Sequence, residues 1–430
     1  MVLSDIWRAG IGAKEQKVTK QVFEGLKVVD FTWVAVGPQV CRELAQHGAT
    51  VVRVETHRRP CPMRAFAPFK DGVPGVNRSA FHTAYNTNKY SMSLDLTNPK
   101  AQEVARRLVA WADIIGDSMT PGTMDKLGLD YESCRRINPS VIYFSTTQQG
   151  QYGPHRDFQG IGHHVNALAG FSDCTGWPDS DPTMVFPAYS DFISPWYLLI
   201  AVTGALLRRR KTGEGMYIEQ AQLEAGVTFL APHVLDYTVN NRVVTRSGNR
   251  DRYMSPHGVY PCSGADRWVA IAVTNEKEWQ RFCDVIGDPD WAGDPKFNSV
   301  IGRKENEDEL DGLIGEWTKN YTPEQVMTIL QDAGVPAGVV QTGEDLLNDP
   351  QLKHRQHFRV LDHLEIGPHS YHAPAYRLSQ TPCDIKSPGP CLGQHNEYVY
   401  KDILGFSDDE IADMLVEGVI TTDADVATTT

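Results

Sequence analysis

Two histidines stand side by side at His163 and His164, followed by Val165-Asn166. Histidine titrates near neutrality, so such a pair can supply a general base, although structural or substrate-contacting roles are commoner for it. A basic run, His57-Arg58-Arg59, could meet an anionic ligand if a strand precedes it; otherwise it is solvated surface. Asp191 stands just ahead of a long apolar run, where aspartate ordinarily caps a helix. Trp33, Tyr189, Phe192 and Trp196 supply aromatic surface for a pocket wall or for a core.

Other chemistries lack their signatures. The segment Thr32-Trp33-Val34-Ala35-Val36-Gly37-Pro38 holds one glycine and no GxGxxG, which disfavours a dinucleotide cofactor. No GxxxxGK[ST] loop and no GxSxG elbow occur, so nucleotide hydrolysis and serine-hydrolase chemistry have no support. Cys41, Cys61, Cys134, Cys174, Cys262, Cys283, Cys383 and Cys391 are scattered singly, without a CxxC pair or a zinc-spaced Cys/His cluster. They read as reduced, mostly structural thiols, and no metal site is expected.

The 430 residues allow two or three domains, and 41% hydrophobic residues suffice for real cores. The formal charge of −13 argues against nucleic acid as a partner, and an anionic ligand would need a local basic patch. The longest apolar run, Trp196 to Leu207, is shorter than the roughly 20 residues that cross a bilayer. It reads as a buried core helix, and no membrane association is expected. The N-terminal residues lack an export pattern, so the expected location is the cytoplasm.

These residues need a scaffold. Leu26 to Asp30 reads as a buried strand leading into a helix from about Gln39, and Thr50 to Glu55 reads as a second strand. Asn98-Pro99 should open a helix carrying Ala101, Val104, Ala105, Leu108 and Ala112, followed by Asp113-Ile114-Ile115. A helix at Tyr131 to Ile137 and a strand at Val141 to Ser145 continue the alternation. The expectation is an α/β protein: a large domain with a doubly wound, mostly parallel, Rossmann-like sheet, plus a smaller α+β domain. The expected boundaries are an arm at 1–22, the large domain at 23–225, a linker at 226–245, the small domain at 246–343, and a return to the large domain at 344–430. The smaller domain should hold strands at Val259-Tyr260-Pro261 and Trp268 to Val273, with acidic helices from Lys304 to Gln331. A last helix is expected near Asp408 to Glu417, before a frayed Thr428-Thr429-Thr430.

Nine segments in order resemble one family. They include Leu26-Lys27-Val28-Val29-Asp30-Phe31, Gly48 to Glu55, Asn86-Thr87-Asn88-Lys89, Leu127-Gly128-Leu129-Asp130, Ser190-Asp191-Phe192, Lys211-Thr212-Gly213-Glu214-Gly215 and Leu392-Gly393-Gln394-His395. From about residue 23 to 415 the chain resembles the class III CoA-transferases, which include formyl-CoA transferase, carnitine CoA-transferase and α-methylacyl-CoA racemase.

The resemblance implies that Asp191 is a nucleophile which carries CoA as an aspartyl thioester between an acyl-CoA donor, with succinyl-CoA the first guess, and a free acid. It implies CoA contacts at Arg58, Arg59, Ser118, Lys126 and Ala35, and a substrate pocket involving Trp33, His163, His164, Tyr189 and Trp196. Coenzyme A is then a substrate, with no tightly bound cofactor. The same family offers two rivals: a racemase using His163 and Asp191 at the α-carbon, and a non-catalytic partner in a heteromeric transferase. It also implies a homodimer of interlocked chains, or a heteromer with a related chain.

Overall fold

The computed structural model describes residues 21–186 and 188–426. Most of the expected N-terminal arm and the terminal threonines lie outside the described residues.

Strands and helices alternate through the first half of the chain. β1 (Lys27–Asp30), α1 (Val36–Gln46), β2 (Thr50–Glu55), α2 (Ala80–Ala84) and β3 (Tyr90–Ser93) come first. α3 (Ala101–Trp111), β4 (Ile114–Asp117), α4 (Thr123–Lys126), α5 (Tyr131–Ile137) and β5 (Ile142–Thr147) follow. α6 (Gly162–Leu168), α7 (Tyr189–Thr212), β6 (Met216–Ala221) and α8 (Gln222–Phe229) complete the series. The sheet order is β3-β2-β1-β4-β5-β6, with every neighbouring pair parallel. Strand order reverses between β1 and β4, and open α/β sheets bind ligands in the crevice outside the carboxyl ends at such a point.

The strands read as continuous apolar runs because helices cover both faces. Val28, Val51, Ile114, Ile142 and Phe144 join α1 and α7 in one core. Their neighbours Val29, Val52, Ile115 and Tyr143 join Val104 and Leu108 of α3 in the other, as the two-residue side-chain period requires. β3 and β6 escaped the sequence reading. β3 reads Tyr-Ser-Met-Ser, and β6 carries Glu219 and Gln220, so neither shows a clean apolar run. α3 starts two residues later than expected, and the Asn98 side chain accepts the Lys100 N–H instead of capping the helix.

A buried charge cluster joins three of the sequence segments. Lys89 Nζ donates to Asp30 Oδ2 (2.8 Å) and to Asn86 Oδ1 (2.9 Å), while Arg53 reaches both Asp30 (3.2 Å) and Glu55 (3.0 Å). Burial by itself would raise the Asp30 carboxyl, but the Lys89 and Arg53 charges hold it below the ordinary carboxylate range.

α7 corrects the reading of the apolar run. The helix has 24 residues, long and apolar enough to cross a membrane, and it is not fully buried. Leu198, Val202 and Ala205 pack in the core, while Trp196 (40%), Ile200 (71%) and Leu207 (57%) are exposed. It ends at Gly213, whose φ of +76° suits a left-handed C-terminal position. A Cβ at Gly215 would lie 2.0 Å from the Val141 carbonyl oxygen, so this glycine lets the turn approach the start of β5 closely.

The compact units divide at other places than expected. Residues 21–169, 186–229 and 354–426 form one unit among the described residues, and 170–185 with 230–353 form the second. The excursion at 170–185 belongs to the second unit because Gly248 N–H donates to Gly176 (2.8 Å) and Arg246 pairs with Asp173 (3.0 Å). The expected linker contains a helix, Ala231–Asn240. Within the second unit, antiparallel β7 (His257–Pro261), β8 (Trp268–Ala272) and β9 (Ala337–Val339) pack with the helices Glu276–Val285, Glu307–Thr318 and Pro323–Asp332 around Val269, Phe282, Ile314 and Leu330.

The C-terminal return to the first unit begins with a hairpin that sequence patterning missed, β10 (Phe358–His363) and β11 (Gly367–His372). It then reaches the β3 edge, where Tyr400 O–H donates to Ser93 (2.8 Å) and Asp95 N–H to Val419 (2.9 Å).

Candidate active site

A cavity of about 420 Å³ opens in the crevice beyond the carboxyl ends of β1, β4 and β5. Trp33 to Val36 after β1, Ser118 to Pro121 after β4 and Thr146 to Gln149 at the end of β5 form its walls. Arg59, Arg156, the segment Phe158 to Gly162, Gln222 and Asp191 complete it. Asp191 is the single acidic lining residue against two arginines, so the local balance favours an anionic ligand despite the acidic total.

Asp191 does not cap α7. Ala188 holds the N-cap position, and Asp191 is the third helical residue, its N–H donating to Ala188 (2.9 Å). Its residue exposure is 8%, and among the described residues no donor reaches its carboxylate. Burial pushes its pKa up to about 7, against the pull of the helix dipole toward the anion. Such a group is a poor structural ion and a candidate for chemistry: weakly solvated, unpaired and facing a cavity.

The backbone under the carboxylate is braced. Gln39 of α1 donates from one Nε2 to the carbonyls of Ala35 (3.0 Å) and Asp191 (2.9 Å), linking the loop after β1 to the first turn of α7. Ser190 N–H donates to Asn166 Oδ1 (2.9 Å) and Ser190 O–H to the Gly162 carbonyl (3.3 Å), fastening α7 to α6.

The opposite wall is equally built. Ser118 Oγ accepts the Trp33 N–H (2.7 Å) and donates to the Trp33 carbonyl (2.8 Å). Arg59 lies over the Trp33 ring at 5.1 Å, a cation–π contact that turns the guanidinium along the cavity edge. Val34 adopts φ +46°, a strained conformation for a β-branched residue, with its N–H directed to Cys61 Sγ (3.4 Å).

The structure therefore gathers Asp191, Trp33, Ala35, Arg59 and Ser118 around one cavity and leaves the remaining candidates outside it. Arg58 pairs with the buried Asp95 (2.6 Å) and with Asp425 (3.8 Å). Lys126 is exposed at the end of α4. His164 Nδ1 accepts the Ile161 N–H (3.0 Å) at the start of α6, and the His163 ring stacks on Phe186 at 6.3 Å. Tyr189 packs edge-on against Phe229 (5.5 Å), and Trp196 lies two turns further along the exposed face of α7. Sequence reasoning missed Arg156, Gln222, Gln39 and the polar run Thr146 to Gln149. The last of these was accessible in principle, since it directly follows a strand at the reversal of the sheet.

Comparisons with known proteins identify the family. Residues 23–396 match CoA-transferase family III. A succinyl-CoA–D-citramalate CoA-transferase from Chloroflexus aurantiacus is 30% identical over 397 residues, covering 92% of this chain and 98% of the relative. A succinate–glutarate CoA-transferase from Agrobacterium fabrum is 32% identical over 390 residues, covering 89% and 96%. A crystal structure of a CAIB/BAIF family protein from Brucella suis superposes with a TM-score of 0.82 at 29% identity, covering 90% of this chain and all of that one. The chain belongs to CoA-transferase family III, and is an enzyme of that class whose substrates are CoA thioesters and free acids.

Proposed function

We propose that the protein moves CoA from succinyl-CoA to a second carboxylic acid through covalent intermediates on Asp191. The observation that carries this reading is the buried, unpaired Asp191 carboxylate at the cavity, with its pKa near 7. An Asp191 oxygen attacks the thioester carbonyl and expels CoA thiolate, leaving an acyl–aspartyl anhydride. The thiolate attacks the Asp191 Cγ, releasing the donor acid and forming an aspartyl-CoA thioester. The acceptor carboxylate attacks the same carbon and expels the thiolate, and thiolate attack on the acceptor's acyl carbon regenerates Asp191. No net proton or electron is exchanged. Relatives named for succinyl-CoA, citramalate and glutarate favour dicarboxylic substrates. Arg59 and Arg156 suit either CoA phosphates or a remote carboxylate.

Wild-type protein incubated with succinyl-CoA and quenched with hydroxylamine should carry label on one peptide, the one containing Asp191. Asp191→Asn should lose turnover by about a thousandfold or more. An unlabelled Asp191 with a fully active Asn variant would sink the proposal. Solvent deuterium entering the α-carbon of a branched acyl-CoA with no acid present would instead restore the racemase reading.

An interlocked homodimer forms part of the proposal, supported by the aromatic and aliphatic side chains exposed along α7. Sedimentation of a stable monomer at micromolar concentration would refute it.

A further inference from the structure

We infer that Gly162 is a positioning residue for Asp191: its missing side chain is the space that the nucleophile's carboxylate occupies. A Cβ built on Gly162 would lie 2.4 Å from Asp191 Oδ2, 2.6 Å from Asp191 Cγ and 2.4 Å from Ala188 Cβ. Favourable contacts between carbon atoms begin near 3.5 Å, so a methyl group there forces a displacement of roughly 1 Å. The requirement is steric, because Gly162 is not among the glycines with positive φ.

The backbone cannot readily yield. The Asp191 carbonyl is held by Gln39, and the preceding residue is tied to α6 through both Asn166 and the Gly162 carbonyl. The carboxylate itself has no hydrogen bond to resist movement. A methyl at 162 would therefore swing the side chain away from its seat and leave the helix in place. Misplacing a reacting group by about 1 Å lowers turnover by roughly a hundredfold while the distant CoA contacts survive.

This inference rests on the nucleophile reading, and its test keeps the two apart. Gly162→Ala should lower kcat by about a hundredfold with KM for succinyl-CoA within about threefold of wild type. Ala188→Gly, added to Gly162→Ala, removes the second clash and leaves the one with Asp191, so the double variant should stay equally poor. The steric pair also has a readout independent of activity. Gly162→Ala should lower the melting temperature much less in an Asp191→Ala background than in wild type, a coupling that a general packing defect would not show. This arm still decides the matter if Gly162→Ala alone fails to fold: with Ala188→Gly relieving the other clash in both backgrounds, the protein should fold with Asp191→Ala and not with Asp191. Near-wild-type turnover of Gly162→Ala, rescue by Ala188→Gly, or equal melting losses in both backgrounds would each overturn the inference. If wild-type Asp191 is labelled by succinyl-CoA and Gly162→Ala is fully active, this inference alone fails. If Asp191 is not labelled and Asp191→Asn is active, the nucleophile reading fails first.

Discussion

Replacing Asp191 by Asn should abolish turnover and stabilise the protein, by an amount that grows with pH. The folded carboxyl titrates at about 7 against an ordinary value of 3.8, because burial disfavours its charged form. Between these two values the folded chain keeps a proton that the unfolded chain has released. Stability therefore falls as pH rises through this window, by about 1.4 kcal/mol per unit, and is flat on either side. At pH 8 the full penalty is about 4 kcal/mol, and at pH 5 about 1.6 kcal/mol of it has already accrued. Asparagine has no such titration. Urea unfolding of both proteins should thus give a stability difference that shifts in favour of the Asn variant by about 2.5 kcal/mol between pH 5 and pH 8. The isosteric change leaves the Ala188 cap and the Gln39 brace intact, so a fixed offset does not obscure the slope. Parallel stability curves for the two proteins would refute the argument, because they would mean that the carboxylate is solvated or paired in the folded state.

Three further outcomes follow from the same geometry. On the proposed mechanism Asp191 attacks as the anion, so kcat/KM for succinyl-CoA should rise with pH through about 7 and level off near 8; a profile flat from pH 5 to 8 would contradict the shifted carboxyl. Gln39→Leu fills similar space but releases two buried carbonyls, so thermal or urea unfolding should show a loss of about 2 kcal/mol, with kcat down roughly tenfold. Arg59→Ala should raise KM for acyl-CoA roughly tenfold with little change in kcat, whereas Arg58→Ala should leave KM unchanged and lower stability by about 1 kcal/mol through the abandoned Asp95 carboxylate.

Sequence alone determined the class of fold and the family. Apolar strand runs such as Leu26-Lys27-Val28-Val29-Asp30 need cover on both faces, which only an alternating parallel sheet provides, and the ordered motifs from there to Leu392-Gly393-Gln394-His395 carried the family. The segment Asn86 to Lys89 was legible as a motif, but its reason, a lysine neutralising Asp30 from 59 residues away, lies in packing. Sequence could not separate Arg58 from Arg59, because two adjacent residues leave a strand end in different directions: one meets Asp95 and the other Trp33. Nor could it join Gln39 to Asp191 or bring Arg156 to the same cavity. These residues lie 152 and 35 positions from Asp191, and the space left by Gly162 depends on distances of an ångström or two that no linear pattern encodes. The raised pKa of Asp191 is likewise a tertiary property, since the residue's type sets only its ordinary value and the surrounding protein, by excluding water, sets the rest.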